Sequence, residues 1–506
     1  MREIGMKHAF LKNISTMAFC LTAVMYGIQA QGQYYAQPVG YTQPYVQQVV
    51  PNQEPAGVAM VQRPATPGVS SWNAYTTSCR WNYQLPFGVV RDRCQGGYKT
   101  VVPTGADSYL GPGEWRFNAW LDQGLTYGSS RNDETFAPQA YNDMYNTYQM
   151  NQLYLTAERR VKENGYNVSL GGRVDMFYGT DYYYTQAYGW EASNVGYLTT
   201  INGVEGRLNK WNGDGDRKLA QNVADYGLSV PQAYLELYAP LAYGMKIKAG
   251  HFYSGMGMES PMAPQNFFYS HSYTSYYGLP TTLTGVQVSF NAPCGWEIFG
   301  GFDLGWNRMA TKGSSGSGFG GVKWTNSCKT LGTQLMIHSG TETWTYANTS
   351  VRPRTIDSED FNVTVLSWLT EWKINSWLST NLEYVYGWDN KGNFPRSGIE
   401  SSYWTGVTNN WFVRCTDTTT VGLRFEWFRD NPQCGRIVYS SAYDATDYNV
   451  YDVSLGVNWK PTYWCTLRPE VRWDWSDLDA NPISGQKFFG DKNSQFTFGM
   501  DLLLNF

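Results

Sequence analysis

The segment Ser494–Phe506, SQFTFGMDLLLNF, decides the fold class of this chain. Its apolar side chains fall on every second position, and the positions between them are mostly small or polar. Successive side chains of a β-strand point to opposite faces, so the segment predicts a strand with one continuous apolar face. In a soluble sheet, such an edge invites aggregation. In a bilayer, it suits a barrel strand that has lipid on one side and the lumen on the other.

The chain ends on Phe506, and this ending resembles the terminal strand of bacterial outer-membrane β-barrels. The resemblance implies that the barrel-insertion machinery reads the strand that ends at Phe506. Barrel closure then requires this strand to pair with the strand near Trp115, because closure removes both sheet edges. In that arrangement Asp501 and Asn505 point into the lumen.

The composition favours a membrane barrel over soluble domains. Charged residues make up 16% of the 506 residues and aromatic residues another 16%, whereas soluble domains carry about a quarter charged residues. The mean hydropathy of −0.44 is too polar for a helical membrane protein. The net charge of −4 gives no reason to expect a nucleic-acid partner.

The first 110 residues predict export and a periplasmic arm. Basic residues precede an apolar run over 14–28, so residues 1–30 read as a signal peptide. Residues 31 to about 70 are rich in Gln, Tyr, Pro, Val and Gly, and residues 31–110 are predicted to form a low-complexity periplasmic arm. Cys79 and Cys94 are candidates for a local disulfide that staples a small segment or a plug. The barrel is expected over 111–506.

Alternating segments predict an antiparallel transmembrane β-barrel of about 16 strands, with 14 to 18 admissible. They lie near 115–124, 150–161, 166–178, 230–239, 244–253, 282–291, 295–306, 318–326, 329–338, 361–373, 377–388, 402–413, 418–429, 448–460, 464–476 and 494–506. Long and short connections alternate between them, as extracellular loops and periplasmic turns do in outer-membrane barrels. This parity leaves both termini in the periplasm. Trp324, Trp372, Trp411 and Trp459 each precede a short turn and predict an interfacial aromatic belt.

Charged residues occupy the strand face opposite the apolar one. A lipid-facing charge near the bilayer centre costs about 2–4 kcal/mol, so these charges are expected to point inward. Residues two apart on a strand are about 6.6 Å apart, so 468–474 forms a ladder of alternating sign. Such rows select ions and solutes in aqueous pores; wall salt bridges without a transport role are the alternative. The predicted pore-lining residues are Arg173, Asp175, Glu297, Asp303, Arg424, Glu426, Arg468, Glu470, Arg472 and Asp474.

The segment Lys246–Phe290 carries a family resemblance. A strand ends in Gly250-His251-Phe252, followed by Gly255-Met256-Gly257-Met258-Glu259-Ser260-Pro261, then Asn266–His271, then a second strand at Thr284-Gly285-Val286. This arrangement resembles the OmpL-like outer-membrane β-barrel porin family over residues from about 115 to 506. The resemblance implies a diffusion channel and transfers no catalytic residues.

Residues 254–281 form the third long connection. The third loop of general porins folds inward, so by analogy this segment is a candidate constriction loop, with Glu259, Asn266 and His271 as its candidate residues. Its many Tyr, Phe, Met, Asn, Gln and Ser side chains suit small neutral or sugar-like solutes. The alternative is a surface loop packed over the barrel mouth.

Catalysis, cofactors and metals are not expected. The chain holds four histidines, and His8 leaves with the signal. Ser270-His271-Ser272 are chain neighbours, which rarely align as nucleophile and base. Residues 212–216 resemble the start of a calcium loop but lack its later Gly and Glu, so they are expected to form a polar loop tip.

The sequence therefore predicts an outer-membrane porin for passive diffusion of small hydrophilic solutes, in contact with outer-membrane lipids and open to homo-oligomerisation. One alternative is a structural or adhesive surface barrel whose lumen is blocked, for instance by residues 71–110. The other is a soluble secreted glycan-binding β-protein, suggested by the Tyr and Trp content.

Overall fold

The computed structural model describes Lys99–Val101 and most of the chain from residue 115 to residue 506. Within the latter range the description leaves out 130–137, 164–166, 188, 191–225, 242, 310–315, 342–343, 346–354, 357–361, 390–401, 432–435, 438–446, 481, 483–484 and 486. The predicted signal peptide, the predicted Cys79–Cys94 pair and the calcium-like segment 212–216 lie outside the described residues.

Sixteen long strands build the fold, and each begins and ends within four residues of its predicted bounds. In chain order they are β1 Trp115–Gly128, β2 Tyr148–Arg159, β3 Ser169–Gly179, β4 Gly227–Ala239, β5 Met245–Tyr253, β6 Thr282–Ala292, β7 Trp296–Asp303, β8 Ser317–Thr325, β9 Leu331–Thr341, β10 Asn362–Lys373, β11 Leu378–Asp389, β12 Ser402–Arg414, β13 Thr419–Asp430, β14 Tyr448–Thr462, β15 Cys465–Ser476 and β16 Ser494–Asn505.

The strands close into one antiparallel barrel. Each strand pairs with its chain neighbours, and β16 pairs with β1 from Thr497↔Gly128 to Asn505↔Trp120. The backbone N–H of Phe506 donates to Ala119, so the pairing extends to the last residue. The short strand Lys99–Val101 pairs with the start of β1, and Trp344–Thr345 pairs with Thr355–Ile356. The predicted fold class and the predicted closing pair are confirmed.

The two faces of the wall differ as the alternation predicts. Large apolar side chains stand on the outer face, among them Leu235 at 64% exposure and Trp473 at 55%. Trp372 and Trp411, which precede short turns, are likewise exposed on the outside. The charged side chains of the same strands are buried on the inner face. The outer face is therefore apolar, as the wall of a membrane barrel requires, while polar groups find partners inside.

Long and short connections alternate around the barrel, which confirms the predicted parity. The short ones include 240–244, 293–295, 415–418 and 463–464. Among the described residues Cys294, Cys328, Cys415 and Cys465 are free thiols, and all lie in or beside short turns. No helix in the described part of the chain has the length and apolarity needed to cross a membrane.

Candidate functional site in the barrel lumen

The connection between β5 and β6, residues 254–281, enters the lumen, and we call it the inner loop. It contains the 3-10 turn Ala263–Gln265 and the short helix α1, Tyr273–Tyr277, whose N-cap Ser272 accepts a hydrogen bond from Ser275 N–H. The inner loop makes hydrogen bonds to inner-face residues of β2, β3, β9 to β11, β13 and β15. It therefore crosses the lumen.

Three wall glutamates accept hydrogen bonds from the inner loop. Glu470 accepts from Tyr269 N–H at 2.9 Å, from Ser270 N–H at 3.1 Å and from the Ser270 hydroxyl. Glu426 accepts from Tyr273 N–H at 2.9 Å and Thr274 N–H at 2.6 Å, which are the first turn of α1. Glu383 accepts from Met258 N–H at 3.2 Å and the Ser275 hydroxyl at 2.9 Å. These carboxylates satisfy loop donors that would otherwise be buried without acceptors.

Three wall arginines act in the opposite sense and donate to loop carbonyls. Arg424 donates to Ser270 O at 3.0 Å, and Arg472 donates to His271 O at 2.6 Å. Arg468 donates from one Nη1 to both Ala263 O and Asn266 O, each at 2.9 Å. The arginines and the glutamate that alternate along β15 thus bind the carbonyl and N–H groups of the irregular loop backbone.

The same arginines are also paired with wall carboxylates. Arg468 binds Asp501 through Nε at 3.0 Å to both oxygens. Arg472 Nη2 lies 2.7 Å from Asp474, and Arg424 Nε lies 2.5 Å from Asp452. All six side chains are buried. Because buried charges are tolerated only when paired and hydrogen-bonded, the ladder is neutralised within the protein.

Glycines on the inner face of the wall leave space for the inner loop. An added Cβ at Gly422 would lie 2.2 Å from the Phe267 ring, and one at Gly124 would lie 2.7 Å from the Tyr269 hydroxyl. At Gly406 it would lie 2.5 Å from Thr274 Oγ1. These residues face inward on β13, β1 and β12. The inner loop therefore packs directly on backbone at these positions, which a side chain on the wall would prevent.

The three candidate residues of the constriction lie together and bind the loop to itself. His271 Nδ1 lies 3.1 Å from Glu259 Oε2, and His271 stacks on Tyr141 with ring centroids 3.8 Å apart. Asn266 accepts from Ser260 N–H at 2.8 Å and donates to Ser260 O at 2.5 Å. Glu259 also accepts from Ser272 N–H at 2.9 Å and pairs with Arg424 at 3.4 Å.

These contacts set the protonation states of the pair. Burial opposes the charge on Glu259, but the hydrogen bond and charge of His271, with Arg424 behind them, hold its pKa below its usual value. Burial lowers the pKa of His271 from 6.5, and the charges of Arg424 and Arg468 add to that effect against the pull of Glu259. The pKa of each group is therefore lowered, Glu259 by its partners and His271 by burial.

Apolar packing fills the part of the lumen nearest the long loops. Trp404, Phe428 and Val385 point inward from neighbouring strands and form one cluster with Tyr273 and Leu279 of the inner loop. Arg436 lies over the Trp404 ring, 3.7 Å from its centroid, and 4.7 Å from that of Trp306. These side chains are buried and in contact, so they fill this part of the lumen.

The wall formed by β4 to β9, across the lumen from β11 to β15, borders unfilled space, which we call the side cavity. Its volume is about 30 Å³, room for one or two water molecules, and it opens to the solvent of the lumen. Paired charges surround it: Lys246 with Glu163 at 3.3 Å, Lys323 with Glu297 at 3.3 Å, and Lys248 with Glu236 at 3.9 Å. The residues that line the cavity are Glu236, Lys246, Lys248, Tyr253, Ser254, Gly255, Gln287, Ser289, Glu297, Phe299, Gln334 and Met336.

The ten predicted pore-lining residues are all buried, and they divide into groups. Arg424, Glu426, Arg468, Glu470 and Arg472 contact the inner loop directly, and Asp474 accepts from the Tyr273 hydroxyl at 2.9 Å. Arg173 pairs with Asp175 at 2.6 Å and also contacts Met262 of the loop. Asp303 pairs with His338 at 3.2 Å. Glu297 lines the side cavity.

Several residues of the site escaped the sequence analysis. Lys246, Lys248 and Glu236 alternate on β5 and β4 in the same way as the charges that were selected, so the same rule applied to these strands identifies them. Glu383 follows the same rule on β11. The inward glycines are visible as glycines in strand interiors, a signal for close approach of another backbone. Within the described residues, no group of three or more His, Cys, Asp and Glu side chains is placed to hold a metal ion.

The observations define a class of protein: a closed transmembrane β-barrel with an apolar outer face, a polar inner wall and a loop folded into the lumen. The family model described as "Putative beta-barrel porin-2, OmpL-like" matches residues 114–506. The chain belongs to this family and is a porin of the outer membrane. The resemblance drawn from Lys246–Phe290 is confirmed.

Several solved outer-membrane proteins are structurally similar to this chain. OmpT of Vibrio cholerae has 10% identity and a TM-score of 0.48, covering 80% of this chain and 99% of that chain. The channel DcaP of Acinetobacter baumannii has 10% identity and a TM-score of 0.48, covering 78% and 97%. An anion-selective porin from Comamonas acidovorans has 8% identity and a TM-score of 0.44, covering 78% and 100%. No curated protein matches the sequence significantly.

Proposed function

We propose that the inner loop is the constriction of this porin and that small hydrophilic solutes pass between the loop and the wall formed by β4 to β9. Diffusion is passive, and selection depends on the size and charge of the side cavity. The chain needs no catalytic group, cofactor or metal ion for this function.

The observation that carries the proposal is the matched anchoring of the inner loop. Glutamates accept its N–H groups and arginines donate to its carbonyls on the side of β11 to β15. Hydrogen bonds to charged groups contribute about 1.5–3 kcal/mol each. The inner loop makes fewer hydrogen bonds to β4 to β9, and the side cavity lies beside these strands.

Under this proposal, the charged inner residues divide by task. Glu297 lines the passage, together with Lys246, Lys248 and Glu236. Arg424, Glu426, Arg468, Glu470, Arg472 and Asp474 hold the constriction in place, as do Arg173 and Asp175 through Met262. Asp303 fixes His338 in the wall. The ladder of alternating sign then sets the position of the loop and acts on solutes only indirectly.

We further propose the orientation that the connection lengths favour. The short turns and both termini face the periplasm, and the long loops face the outside. Residues 1–30 direct export, residues 31–110 form a periplasmic arm, and the strand ending at Phe506 is the segment read by the insertion machinery. The exposed apolar outer face contacts lipid and offers area for a homo-oligomer.

One observation favours the rival function of a structural barrel with a blocked lumen. The apolar cluster around Trp404, Phe428 and Arg436 fills the long-loop half of the lumen. A barrel that is blocked here conducts no ions, whereas a porin conducts past the loop. The two functions therefore differ in a measurable property.

Single-channel recording of the purified full-length protein in planar bilayers tests the proposal. We expect stepwise conductance, and we expect Glu426→Ala combined with Glu470→Ala to enlarge the steps because the inner loop loses five hydrogen bonds that these two carboxylates accept. Glu158→Ala is the control, because its carboxylate pairs with Arg160. A silent but heat-modifiable barrel would favour the structural function. Equal steps in all three proteins would remove the constriction assignment.

A further inference from the structure

The side cavity contains one cation that differs from its neighbours. Lys246 and Lys323 each lie 3.3 Å from a glutamate oxygen, which is within the range of a charge-assisted contact. Lys248 Nζ lies 3.9 Å from Glu236, beyond hydrogen-bond distance. Glu236 has further contacts in the protein. The Lys248 ammonium is therefore the least neutralised of the three.

Lys248 is nevertheless held in a fixed position. It is only 6% exposed, and its Nζ lies over the rings of Tyr234 and Phe252, 4.8 Å and 5.2 Å from their centroids. Cation–π contacts orient an ammonium group without using its N–H donors. The donors of Lys248 thus remain available to an acceptor in the cavity.

Neighbours in register complete the site. Lys248 lies directly opposite Glu236 on β4 and opposite Gln287 on β6. Directly opposed residues bring their Cβ atoms to about 4.5–5.5 Å, so the Gln287 amide lies beside the ammonium on the same inner face. Phe299 and Met336 add an apolar part to the lining.

We propose that Lys248 is an anion-binding residue of the passage and that the porin favours small organic carboxylates. One carboxylate oxygen accepts from the Lys248 ammonium, the other from the Gln287 amide, and the hydrocarbon part lies against Phe299 and Met336. This inference rests on the proposed passage along β4 to β9. It assigns to Lys248 the selectivity that the sequence suggested for the arginines of β15, which the protein neutralises itself.

The test measures reversal potentials of the full-length protein in a KCl gradient. Lys248→Gln is expected to lower the chloride-over-potassium permeability ratio at least about twofold, because it removes one positive charge from the wall of a confined pore. Lys248→Arg should keep the ratio, and so should Lys487→Gln, which removes an exposed lysine of a long loop. An unchanged ratio in Lys248→Gln overturns the proposal.

A double variant separates a binding site from a change in net charge. Lys248→Gln with Glu236→Gln leaves the net charge of the lumen as it is in the wild type. The proposal expects that the double variant still loses anion preference, because the ammonium donor is gone. A double variant with the wild-type ratio would show that only net charge matters, and the site would be withdrawn.

A measurement on the wild-type protein alone covers the case in which a variant does not fold. Propionate is expected to reduce the chloride current in a concentration-dependent way, while propionamide, its neutral isostere, leaves the current unchanged. Equal effects of the two compounds overturn the carboxylate site. If the wild-type protein conducts nothing, the proposed passage itself fails, and that result differs from conduction without selectivity.

Discussion

The two halves of the barrel wall use the same residue types for different ends. On β11 to β15, buried arginines and carboxylates are covered by the inner loop and exchange hydrogen bonds with its backbone. On β4 to β8, lysines and glutamates border unfilled space and are more loosely paired. A charged inner face therefore does not by itself mark the path of a solute; what covers the charges decides their role.

The choice of cation follows this division. The covered wall uses arginine, whose planar guanidinium binds a carboxylate and a loop carbonyl at the same time. The open wall uses lysine, a compact and strongly hydrated charge that exchanges partners readily. Under the proposed function, the arginines hold the inner loop in place and the lysines meet passing ions.

The largest effect is expected when one of the arginines that bind the inner loop is removed. Arg468→Ala leaves Asp501 and Asp122 buried without their arginine, and removing one partner of a buried ion pair costs about 3–5 kcal/mol. Urea unfolding of the refolded protein in liposomes measures this loss. Ion selectivity should keep its sign, because the ladder is neutralised internally. A changed selectivity with unchanged stability would return Arg468 to the pore lining.

A smaller loss of stability is expected when a side chain is added to the wall where the inner loop packs on it. Gly422→Ala places a Cβ against the Phe267 ring, and overpacking of this kind costs about 1–3 kcal/mol. The inner loop should shift, which increases current noise in single channels. Gly320→Ala is the matched control, since the nearest atom to its added Cβ is 3.5 Å away. Equal current noise in both variants would show that the inner loop does not depend on the space at Gly422.

A graded effect is expected on acidification. The pKa of His271 is lowered from 6.5 by burial. His271 therefore takes up a proton more readily when the inner loop is released from the wall than when the loop is bound to it. The inner loop bound to the wall is therefore at full stability above about pH 6.5, and its stability falls as the pH drops. Protonation of Glu259 adds a further loss of stability below its usual pKa of 4.5. Single-channel recordings at pH 7.5 and 5.5 should show more fluctuation at the lower pH.

His271→Gln separates this effect from other acid-sensitive groups. Glutamine does not titrate, so the difference between the two pH values should shrink in the variant. A difference of the same size as in the wild type would assign the pH dependence to another group.

The sequence predicted the strands well because a barrel strand is governed by local alternation. Most of the sixteen strands show apolar residues on every second position, and lipid on one face favours that pattern. The closing pair of Ser494–Phe506 with β1 followed from the need to remove edges. Strand ends varied because β3 and β14, for example, contain register shifts that alternation alone does not reveal.

The function of the inner wall was harder to predict, because it depends on contacts between distant parts of the chain. Glu470 meets Ser270 across 200 positions in sequence. Alternation identified Glu470 as an inward residue, but no local pattern indicates what lies in front of it. The glycines at 422 and 406 were the available signal, since a side chain at either position would exclude the inner loop.

Thiol accessibility tests the central difference between the two walls most directly. Gln287→Cys and Ser454→Cys are each made in a background whose native cysteines are replaced by serine, and a small hydrophilic thiol reagent is added during single-channel recording. The account predicts that the reagent reaches Gln287→Cys and reduces the current, while Ser454→Cys, behind Arg424 and the inner loop, does not react. Reaction at position 454 with none at position 287 would place the passage on the opposite wall and contradict the account.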